Sequence, residues 1–320
     1  MRVSLRWLGL FLVLFSFESQ SSIEVKVRLT PQPSDLIAQL DLEDYVKAVV
    51  AAEMPALWPL EALKAQAVAA RSYAAAQMKR HQGDDYELTA STKDQVFSLK
   101  TLKSIQMDKK KWASVIKAVN ATRGMILTDA EGEPYWAYYH ADCGGHTEQP
   151  KDVWGNQQES GTTDDEGCSL RAPWSVTLDQ NALGKDLAVI SPVSHGIKAI
   201  KVIEKTGSGR VTKLEIRGLE GVITVSGEDL RRLIGFEKLK SALFTVHRRQ
   251  DTFVFQGTGH GHGVGLCQMG ARYWAAQGKT FQEILTHYYP TAQLSHMKPL
   301  DGTTSVRRLA KAARLSEEKR

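Results

Sequence analysis

The feature that most constrains the fold of this chain is an alanine-rich stretch that follows Pro59. Proline is favoured at the first position of a helix, and helical spacing continues from there to about Lys79. The interior of this predicted helix carries small side chains on nearly all sides, at Ala62, Ala65, Ala67, Ala69, Ala70, Ala74, Ala75 and Ala76. Because small side chains let neighbouring elements approach closely, the helix is predicted to lie at the centre of the fold.

Strand and helix patterns alternate around this central helix. The segment 23–29 alternates apolar and polar residues as a strand does, and Asp41 can cap a helix that runs towards Glu53. Three β-rich runs lie between Ile197 and Val225. The sequence therefore predicts an α+β fold. We expect a single mixed domain over residues 23–300, with the central helix packed against antiparallel strands and a glycine-rich loop near a cleft.

Two further local patterns lie between the central helix and the first cysteine. Residues 100–119 carry mixed charge at helical spacing, which predicts a helix. Residues 125–128 and 135–139 are β-rich and flank Gly132, which predicts a hairpin.

The N-terminal segment, residues 1–22, has the pattern of a secretory signal. Arg2 and Arg6 precede an apolar run over residues 7–17, and a polar stretch follows it. The run is short for a transmembrane helix, which needs about 20 residues. We expect an exported protein of the periplasm or cell envelope, with an uncleaved membrane anchor as the alternative. Residues 301–320 form a basic C-terminal tail.

The charge of the chain bears on its partners. The formal net charge is +5 and the isoelectric point is near 8.9. This mild excess suits contact with an anionic envelope polymer, but it is too weak to indicate nucleic-acid binding. A recognition helix with clustered arginines is also missing from the sequence.

Glu53 is the first candidate for chemistry, at the point where one helix ends before Pro55. Met54, Leu57 and Trp58 are predicted to surround it with apolar surface. Such surroundings favour the neutral carboxyl group. Glycosidic cleavage needs a protonated acid, because the leaving oxygen takes up a proton as the bond breaks. From position alone, a structural acid in an ion pair or at a helix end remains the alternative.

The cysteines form the second candidate site. The chain has three, Cys143, Cys168 and Cys267, so at least one thiol stays outside any intramolecular disulfide. His140, Cys143, His146 and Cys168 can converge on a closed tetrahedral zinc site. A Cys143–Cys168 disulfide is the alternative, because an exported protein permits one.

The third candidate is a glycine-rich run over residues 257–265. It does not contain the G-x-G-x-x-G pattern, so a dinucleotide site is excluded. His260 and His262 alternate within it and can face a cleft, or they can be ordinary loop residues. A catalytic zinc with an open position built on these two histidines is a third functional hypothesis. Cys267 is predicted to lie in a packed helix start.

Several blocks of sequence together resemble one known family. They are Leu42-Glu43-Asp44-Tyr45-Val46, Glu53-Met54-Pro55, Glu61 to Ala74, Cys143-Gly144-Gly145-His146-Thr147, Asp152-Val153-Trp154-Gly155 and Gly259 to Ala271. In this order they resemble the stage II sporulation protein D family, also called the amidase enhancer (LytB) family. The resemblance covers about residues 35–295.

The resemblance implies a peptidoglycan lytic transglycosylase, a lyase that cleaves MurNAc-GlcNAc glycan strands to 1,6-anhydro products. It implies a preference for strands stripped of stem peptides, with Glu53 as general acid and base. It also implies a structural zinc near the Cys-Gly-Gly block, which favours ligands among His140, Cys143, His146 and Cys168. Some family members are amidase enhancers, so a non-catalytic glycan-binding partner that recruits a cell-wall amidase is the alternative function.

The residues expected to line the sugar cleft are Gln66, Arg71, Tyr73, Gln95, His260, His262 and Gln268. A second carboxylate, if the reaction uses one, is expected among Asp41, Glu43, Glu61 and Asp94. The chain departs from the family in one segment: Thr89, Ser91 and Thr92 stand where members often carry cysteines. This departure argues against a second metal or a disulfide there.

Overall fold

A computed structural model describes residues 22–29, 36–91, 93–155, 161–169, 172–188 and 196–297. The predicted signal segment, apart from residue 22, and the basic tail 301–320 lie outside these residues. Within the described ranges, none of the helices combines the length and the apolar character needed to cross a membrane.

The described residues form an α+β fold, as predicted. The helices are α1 (Leu42–Glu53), α2 (Leu60–Arg80), α3 (Leu99–Met107), α4 (Ala113–Ala121), α5 (Pro150–Trp154), α6 (Glu166–Ser169), α7 (Gln180–Leu187), α8 (Gly227–Ile234), α9 (Gln268–Ala276) and α10 (Phe281–Tyr288). The strands are β1 (Glu24–Arg28), β2 (Ile37–Asp41), β3 (Leu88–Thr89), β4 (Met125–Thr128), β5 (Tyr139–His140), β6 (Trp174–Asp179), β7 (Ala199–Lys205), β8 (Val211–Arg217), β9 (Val222–Val225), β10 (Phe244–Arg249), β11 (Thr252–Gly257), β12 (Leu266–Cys267) and β13 (Gln293–His296).

The alanine-rich helix α2 lies at the centre, where the sequence places it. Most of its residues from Ala62 to Met78 are buried, and it contacts α1, α4, α9, α10 and β4. Its neighbours are therefore mostly helices, with β4 as its main strand contact. The helix before it begins at Asp41, whose Oδ1 accepts hydrogen bonds from the backbone N–H groups of Glu43 and Asp44. This cap satisfies two N–H groups that the helix itself leaves open.

The apolar side chains form two separate cores. The first core surrounds α2 and includes the small sheets β2-β1-β3, β13-β4 and β12-β5. The second core lies between the antiparallel sheets β10-β11-β6 and β7-β8-β9, with α7 and α8 packed against them.

A buried arginine joins these two parts of the molecule. Arg210 lies at the start of β8, and its guanidinium donates to the backbone oxygens of Cys143 and His146 at 2.6 and 3.0 Å. Gly263 has φ +88°, and an added Cβ there would approach the same guanidinium to 2.4 Å. The glycine-rich loop therefore lies close against Arg210, which fixes the loop beside the first core.

Two local predictions were wrong in part. The predicted helix over residues 100–119 is divided into α3 and α4, and Asp108 at the break accepts a hydrogen bond from the backbone of Lys111. The predicted hairpin around Gly132 forms only over a short length. Thr128 and Pro134 are bridge partners, and the Asp129 and Tyr135 N–H groups on either side donate to the backbone oxygens of Glu133 and Leu127 at 2.9 Å. The ladder ends there because the Leu127 N–H donates to Ser72 Oγ. Strand β4 also pairs with β13, from the far end of the chain.

Candidate functional site

Glu53 is the last residue of α1, and the chain leaves the helix immediately after it. Met54 is extended and buried, so the chain turns away towards Pro55 and leaves the Glu53 carboxylate half-buried. Leu57 was predicted to shield this carboxylate, but its side chain is 95% exposed. A side chain turned into solvent cannot desolvate a carboxyl group, so this expectation was wrong for Leu57.

The pKa of Glu53 is raised by burial. Two hydrogen bonds oppose this shift, one from the Gln268 side chain and one from the backbone of Val96, and burial is the larger effect. The Gln268 Nε2 donates to Glu53 Oε2 at 3.0 Å. The raised pKa keeps a larger fraction of Glu53 protonated near neutral pH than an ordinary surface glutamate would have.

Gln268 connects three helices at this point. It is the first residue of α9, and its Nε2 lies 3.0 Å from Glu53 Oε2 on α1 and 3.5 Å from Gln66 Oε1 on α2. Gln66 is fully buried, and its Nε2 has no hydrogen-bond partner within the described part of the chain. Gln66 and Gln268, both predicted for the cleft, are therefore brought to the carboxylate of Glu53.

Tyrosine hydroxyls lie around the same carboxylate. Burial raises the pKa of Tyr45 and of Tyr139 well above the usual value, and the negative charge of Glu53 adds to both shifts. Both phenols therefore stay protonated. The Tyr45 hydroxyl donates to Gln95 Oε1 at 2.9 Å, which places Gln95 in the surroundings of Glu53. Tyr139 was missed at the sequence level, because only the pairing of β5 with β12, in which Tyr139 lies opposite Leu266, brings it towards the start of α9.

Tyr73 also belongs to this group, through its contact with Asp94. The Tyr73 hydroxyl donates to Asp94 Oδ1 at 3.3 Å, and Gln77 Nε2 donates to the same oxygen at 2.6 Å. Burial is the main cause that raises the pKa of Tyr73. Asp94 also accepts hydrogen bonds from the backbone and the hydroxyl of Thr89.

All four candidates for a second carboxylate have structural partners. Asp94 is held by Thr89 and Gln77, and Asp41 caps α1. Glu61 accepts from Lys64 at 2.6 Å and from the backbone of Phe281 at 2.9 Å. Glu43 pairs with Arg71, as described next.

Arg71 was predicted to line the sugar cleft, and the structure places it in the core instead. Its side chain is fully buried, and Nε and one terminal nitrogen donate to the two oxygens of Glu43 at 2.9 and 2.7 Å. The other terminal nitrogen donates to the backbone oxygen of Met125 at 2.9 Å. A guanidinium whose donors are used in this way holds α2 to α1 and β4, and the prediction was wrong.

The two histidines of the glycine-rich loop occupy different surroundings. His262 Nδ1 accepts a hydrogen bond from the backbone N–H of Val264, and its ring lies against those of Trp154 and His140. His260 lies on the backbone bridge to Asp142. Burial is the main cause that lowers the pKa of both. Within the described residues, neither belongs to a cluster of metal-binding side chains, so the structure does not support an open zinc site there.

The three cysteines and one aspartate do form such a cluster. Ligand atoms of Asp142, Cys143, Cys168 and Cys267 lie within 4.8 Å of one another, and all four residues are buried. All three cysteines are free, with the sulfurs of Cys168 and Cys267 3.1 Å apart. The four atoms can hold a metal ion, since thiolate sulfur and carboxylate oxygen are both zinc ligands.

The three thiols of the cluster differ in how readily they become negative: the pKa of Cys143 is lowered, whereas the hydrogen bond with Cys143 raises that of Cys168 and burial raises that of Cys267. The backbone N–H groups of Cys143 and Gly270 donate to Cys267 Sγ, and that of Gly145 donates to Cys143 Sγ. The pKa of Cys143 is lowered, chiefly because the thiols of Cys168 and Cys267 donate to its sulfur. Burial, with the charge of Cys143 as a further cause, raises the pKa of the adjacent Asp165 to about 6.

The predicted ligand set is therefore corrected. Cys143 and Cys168 belong to the cluster and His146 does not, while His140 lies beside the cluster, with its side chain hydrogen-bonded to Cys143. Gly144 and Gly145 have φ +73° and +112°, and this reversal of the chain directs His146 outward, where Nδ1 contacts Asp164 at 2.6 Å.

His140 is buried, and its Nδ1 donates to the backbone oxygen of Val264 at 3.1 Å. Cys267 was missed as the third sulfur. The odd cysteine count was the signal that could have included it.

Two family models match separate parts of the chain. A family model described as stage II sporulation protein matches residues 32–128, the part that contains Glu53 and Gln66. A second model, described as a domain of unknown function (DUF8618), matches residues 157–265, which contain the second core.

Three relatives cover most of the chain. An uncharacterized protein of Brachyspira hyodysenteriae is 34% identical over 257 residues, 79% of this chain and 66% of that protein. Stage II sporulation protein D of Bacillus amyloliquefaciens is 31% identical over 297 residues, 86% of this chain and 80% of that protein. The amidase enhancer of Bacillus subtilis is 28% identical over 299 residues, and the chain spans 40% of its length. The chain belongs to the stage II sporulation protein D family.

Proposed function

We propose that this protein is a peptidoglycan lytic transglycosylase that uses Glu53 as its general acid and base. The observation that carries the proposal is the half-buried carboxyl group of Glu53, with a raised pKa and, among the described residues, hydrogen bonds from neutral donors only. An acid of this kind can give a proton at neutral pH and then hold the resulting charge, which is what the two halves of the reaction require.

In the first half, protonated Glu53 gives its proton to the oxygen that links MurNAc C1 to the next GlcNAc. The C1–O bond breaks, its electron pair stays with the departing oxygen, and positive charge develops at C1 and the ring oxygen. The Glu53 carboxylate that remains accepts hydrogen bonds from Gln268 and the backbone of Val96. These donors are in place before the charge forms, so little reorganisation is needed.

In the second half, the Glu53 carboxylate takes the proton of the 6-hydroxyl group of the same MurNAc. That oxygen bonds to C1, which gives the 1,6-anhydro ring and returns Glu53 to its protonated form. The nucleophile belongs to the substrate, so the reaction does not need the second carboxylate of an ordinary glycosidase. This agrees with the structural partners held by Asp41, Glu43, Glu61 and Asp94.

The sulfur cluster is proposed to hold a structural zinc ion. Cys143, Cys168 and Cys267 with Asp142 supply four ligand atoms, which is the number of a closed tetrahedral site. When bound, the ion would cross-link the Cys-Gly-Gly loop, α6 and the start of α9. Metal analysis of the purified protein tests this assignment.

A location in the cell envelope is part of the same proposal. The substrate lies outside the cytoplasm, and the sequence begins with the pattern of a secretory signal. Membrane contact through that segment remains the alternative for its N-terminus, and nucleic acid is not a proposed partner.

A second candidate is a non-catalytic glycan-binding protein that recruits a cell-wall amidase. The similarity to the amidase enhancer of Bacillus subtilis, over 78% of this chain, favours keeping it. The two candidates differ in whether the protein itself cleaves glycan.

Mass spectrometry of the products from peptide-free glycan strands separates them. We expect anhydro-ended fragments from the wild-type protein and a loss of about 10³-fold in rate for Glu53→Gln, within the range typical of general acid–base groups. Glu131→Gln, in an exposed turn, is the matched control and should cleave normally. Binding without cleavage by the wild-type protein would leave the amidase-recruiting function.

A further inference from the structure

Four ring side chains form a continuous row on one side of the site. The rings of Trp136 and Tyr138 are nearly parallel, with centroids 6.4 Å apart. The ring centroid of Trp154 lies 4.7 Å from that of Tyr138, and the ring centroid of His262 lies 4.8 Å from that of Trp154. We call this row, Trp136–Tyr138–Trp154–His262, the aromatic track.

The aromatic track lies at the edge of the first core. Trp154 is 41% exposed, while Trp136 and Tyr138 pack against the core and remain only partly buried. His262 closes the row at its buried end. Buried rings elsewhere in the first core, such as Tyr45 against Phe97, show the contrast, because both of those side chains are almost wholly enclosed. Exposed rings in a continuous row are unusual on a monomer surface and mark a binding surface.

Separate parts of the chain build the aromatic track. Trp136 and Tyr138 alternate along the segment before β5, Trp154 ends the short helix α5, and His262 comes from the glycine-rich loop. The left-handed Gly155, with φ +69°, ends α5 directly after Trp154. Three separate segments thus bring their rings into one contiguous row, which turns at Trp154, because the centroids of Tyr138 and His262 are also only 6.3 Å apart.

The aromatic track is continuous with the surroundings of Glu53. The ring of Tyr73 contacts those of Trp136 and Tyr138 edge-on, with centroids 5.8 Å apart in each pair. Tyr73 and Asp94 both act electrostatically on Tyr45 in the acid site. Tyr139, which follows Tyr138 directly, is within the electrostatic reach of Glu53. The track therefore begins at the chemical centre and extends away from it.

The chemistry of the aromatic track favours a sugar. The C–H groups on one face of a pyranose ring make a flat apolar patch that packs against an aromatic ring. At the rim, the tyrosine hydroxyl and the imidazole can bond to sugar hydroxyls. Arg80 lies over Trp136, 5.7 Å from the ring centroid. A long polymer also needs contacts beyond the cleaved bond, because these contacts position that bond.

We propose that the aromatic track is the docking surface for the glycan strand beyond the cleavage point, with successive sugar faces stacked on its rings. This inference rests on the proposed function for its ligand, and it assigns Trp154 and Trp136 as binding residues that act apart from the acid. Tyr138 contributes ring surface and also supports Tyr73.

The test measures binding in the Glu53→Gln background, so that cleavage does not interfere. The affinity for purified peptide-free glycan strands is measured by calorimetry for Trp154→Ala, Trp136→Ala and Trp154→Phe. We expect each alanine variant to bind about 10-fold more weakly, and Trp154→Phe to retain most of the affinity because it keeps a ring. Thermal melting checks that each variant is folded.

The matched control is Trp112→Ala. Trp112 is also half-buried, but it lies between α3 and α4, with Nε1 bonded to Ser104 Oγ at 3.1 Å. Its removal should leave glycan affinity unchanged. Unchanged affinity in both folded track variants would overturn the proposal, as would an equal loss in Trp112→Ala.

Failure of the proposed function gives a different result. If the wild-type protein binds the strands without cleaving them, and the Trp154→Ala variant loses that binding, the docking surface stands and the transglycosylase does not. If the wild-type protein cleaves and both track variants bind as tightly as the Glu53→Gln parent, the transglycosylase stands and the docking surface does not.

Discussion

Two glutamates on helix α1, one in its first turn and one in its last, have opposite surroundings. Glu43 is almost wholly buried, and both of its oxygens accept hydrogen bonds from the guanidinium of Arg71. Glu53 accepts only from neutral donors, the Gln268 amide and the Val96 backbone, and no cation pairs with it among the described residues. The helix dipole adds to the difference, because it favours a carboxylate at the first turn and opposes one at the last.

The difference separates a structural acid from a reactive one. The charge of Glu43 is balanced by Arg71, so the pair holds α1, α2 and the start of β4 together. The charge of Glu53 is stabilised by dipoles alone, so its protonated and ionised forms lie closer in free energy. A reaction that uses both forms needs the second kind of environment.

The largest expected effect tests the assignment of Glu43 as a structural acid. Glu43→Gln removes the balancing charge from the fully buried Arg71. Loss of one partner of a buried ion pair destabilises a protein by about 3 kcal/mol or more. We expect a loss of about that size in the free energy of unfolding, measured by denaturant titration.

The matched control is the neighbouring residue on the same turn. Asp44→Asn removes a partly exposed pair with Lys47, and such pairs contribute about 1 kcal/mol at most. If Glu43→Gln were no more destabilising than Asp44→Asn, Arg71 would not depend on Glu43, and the structural assignment of the pair would fail.

The sequence predicted the elements that depend on local signals. Asp41, Pro59 and the alanine spacing placed α1 and α2 closely. These signals act within a turn or two of helix, so neighbouring residues are sufficient to recognise them. The pairing of β4 with β13 spans most of the chain, and no local pattern distinguishes it from the predicted hairpin.

The site was predicted in residue type more than in arrangement. Gln66, Gln268 and Gln95 were chosen from motifs, and they do come together near Glu53. Arg71 was misassigned because its partner, Glu43, lies 28 residues away on another helix. Cys267 was assigned to packing because its two partner sulfurs are 99 or more residues distant and reach it from separate elements, the loop after β5 and helix α6.

An intermediate effect is expected at Gln268, whose side-chain amide donates a hydrogen bond to Glu53. Gln268 donates to the Glu53 carboxylate and stabilises its ionised form, which lowers the pKa of Glu53. Gln268→Leu removes this donor, so the pKa of Glu53 rises further. The limb of the pH–rate profile that reports protonated Glu53 should move to higher pH, and kcat should fall about 10-fold, the value of one such hydrogen bond.

Gln277→Leu, at the exposed other end of α9, is the control for this measurement. It should leave both kcat and the pH profile unchanged. A fall in kcat for Gln268→Leu with no movement of the limb would show that Gln268 acts on the substrate and does not tune the acid.

The smallest expected effect tests the assignment of Glu53 as the reactive acid, through the effect of its charge on the stability of the folded protein. The folded-state pKa of Glu53 lies above its unfolded value. The stabilisation from its protonation is therefore fully present below the unfolded pKa and is lost as pH rises through the folded pKa.

At neutral pH the wild-type protein carries a half-buried carboxylate that no cation among the described residues balances. Glu53→Gln removes this unfavourable charge. We expect this variant to melt slightly above the wild-type protein at pH 7. The two should melt together below about pH 4, where glutamate is protonated in both states. A lower melting temperature at pH 7 would instead group Glu53 with Glu43, as a carboxylate that the fold needs in its charged form.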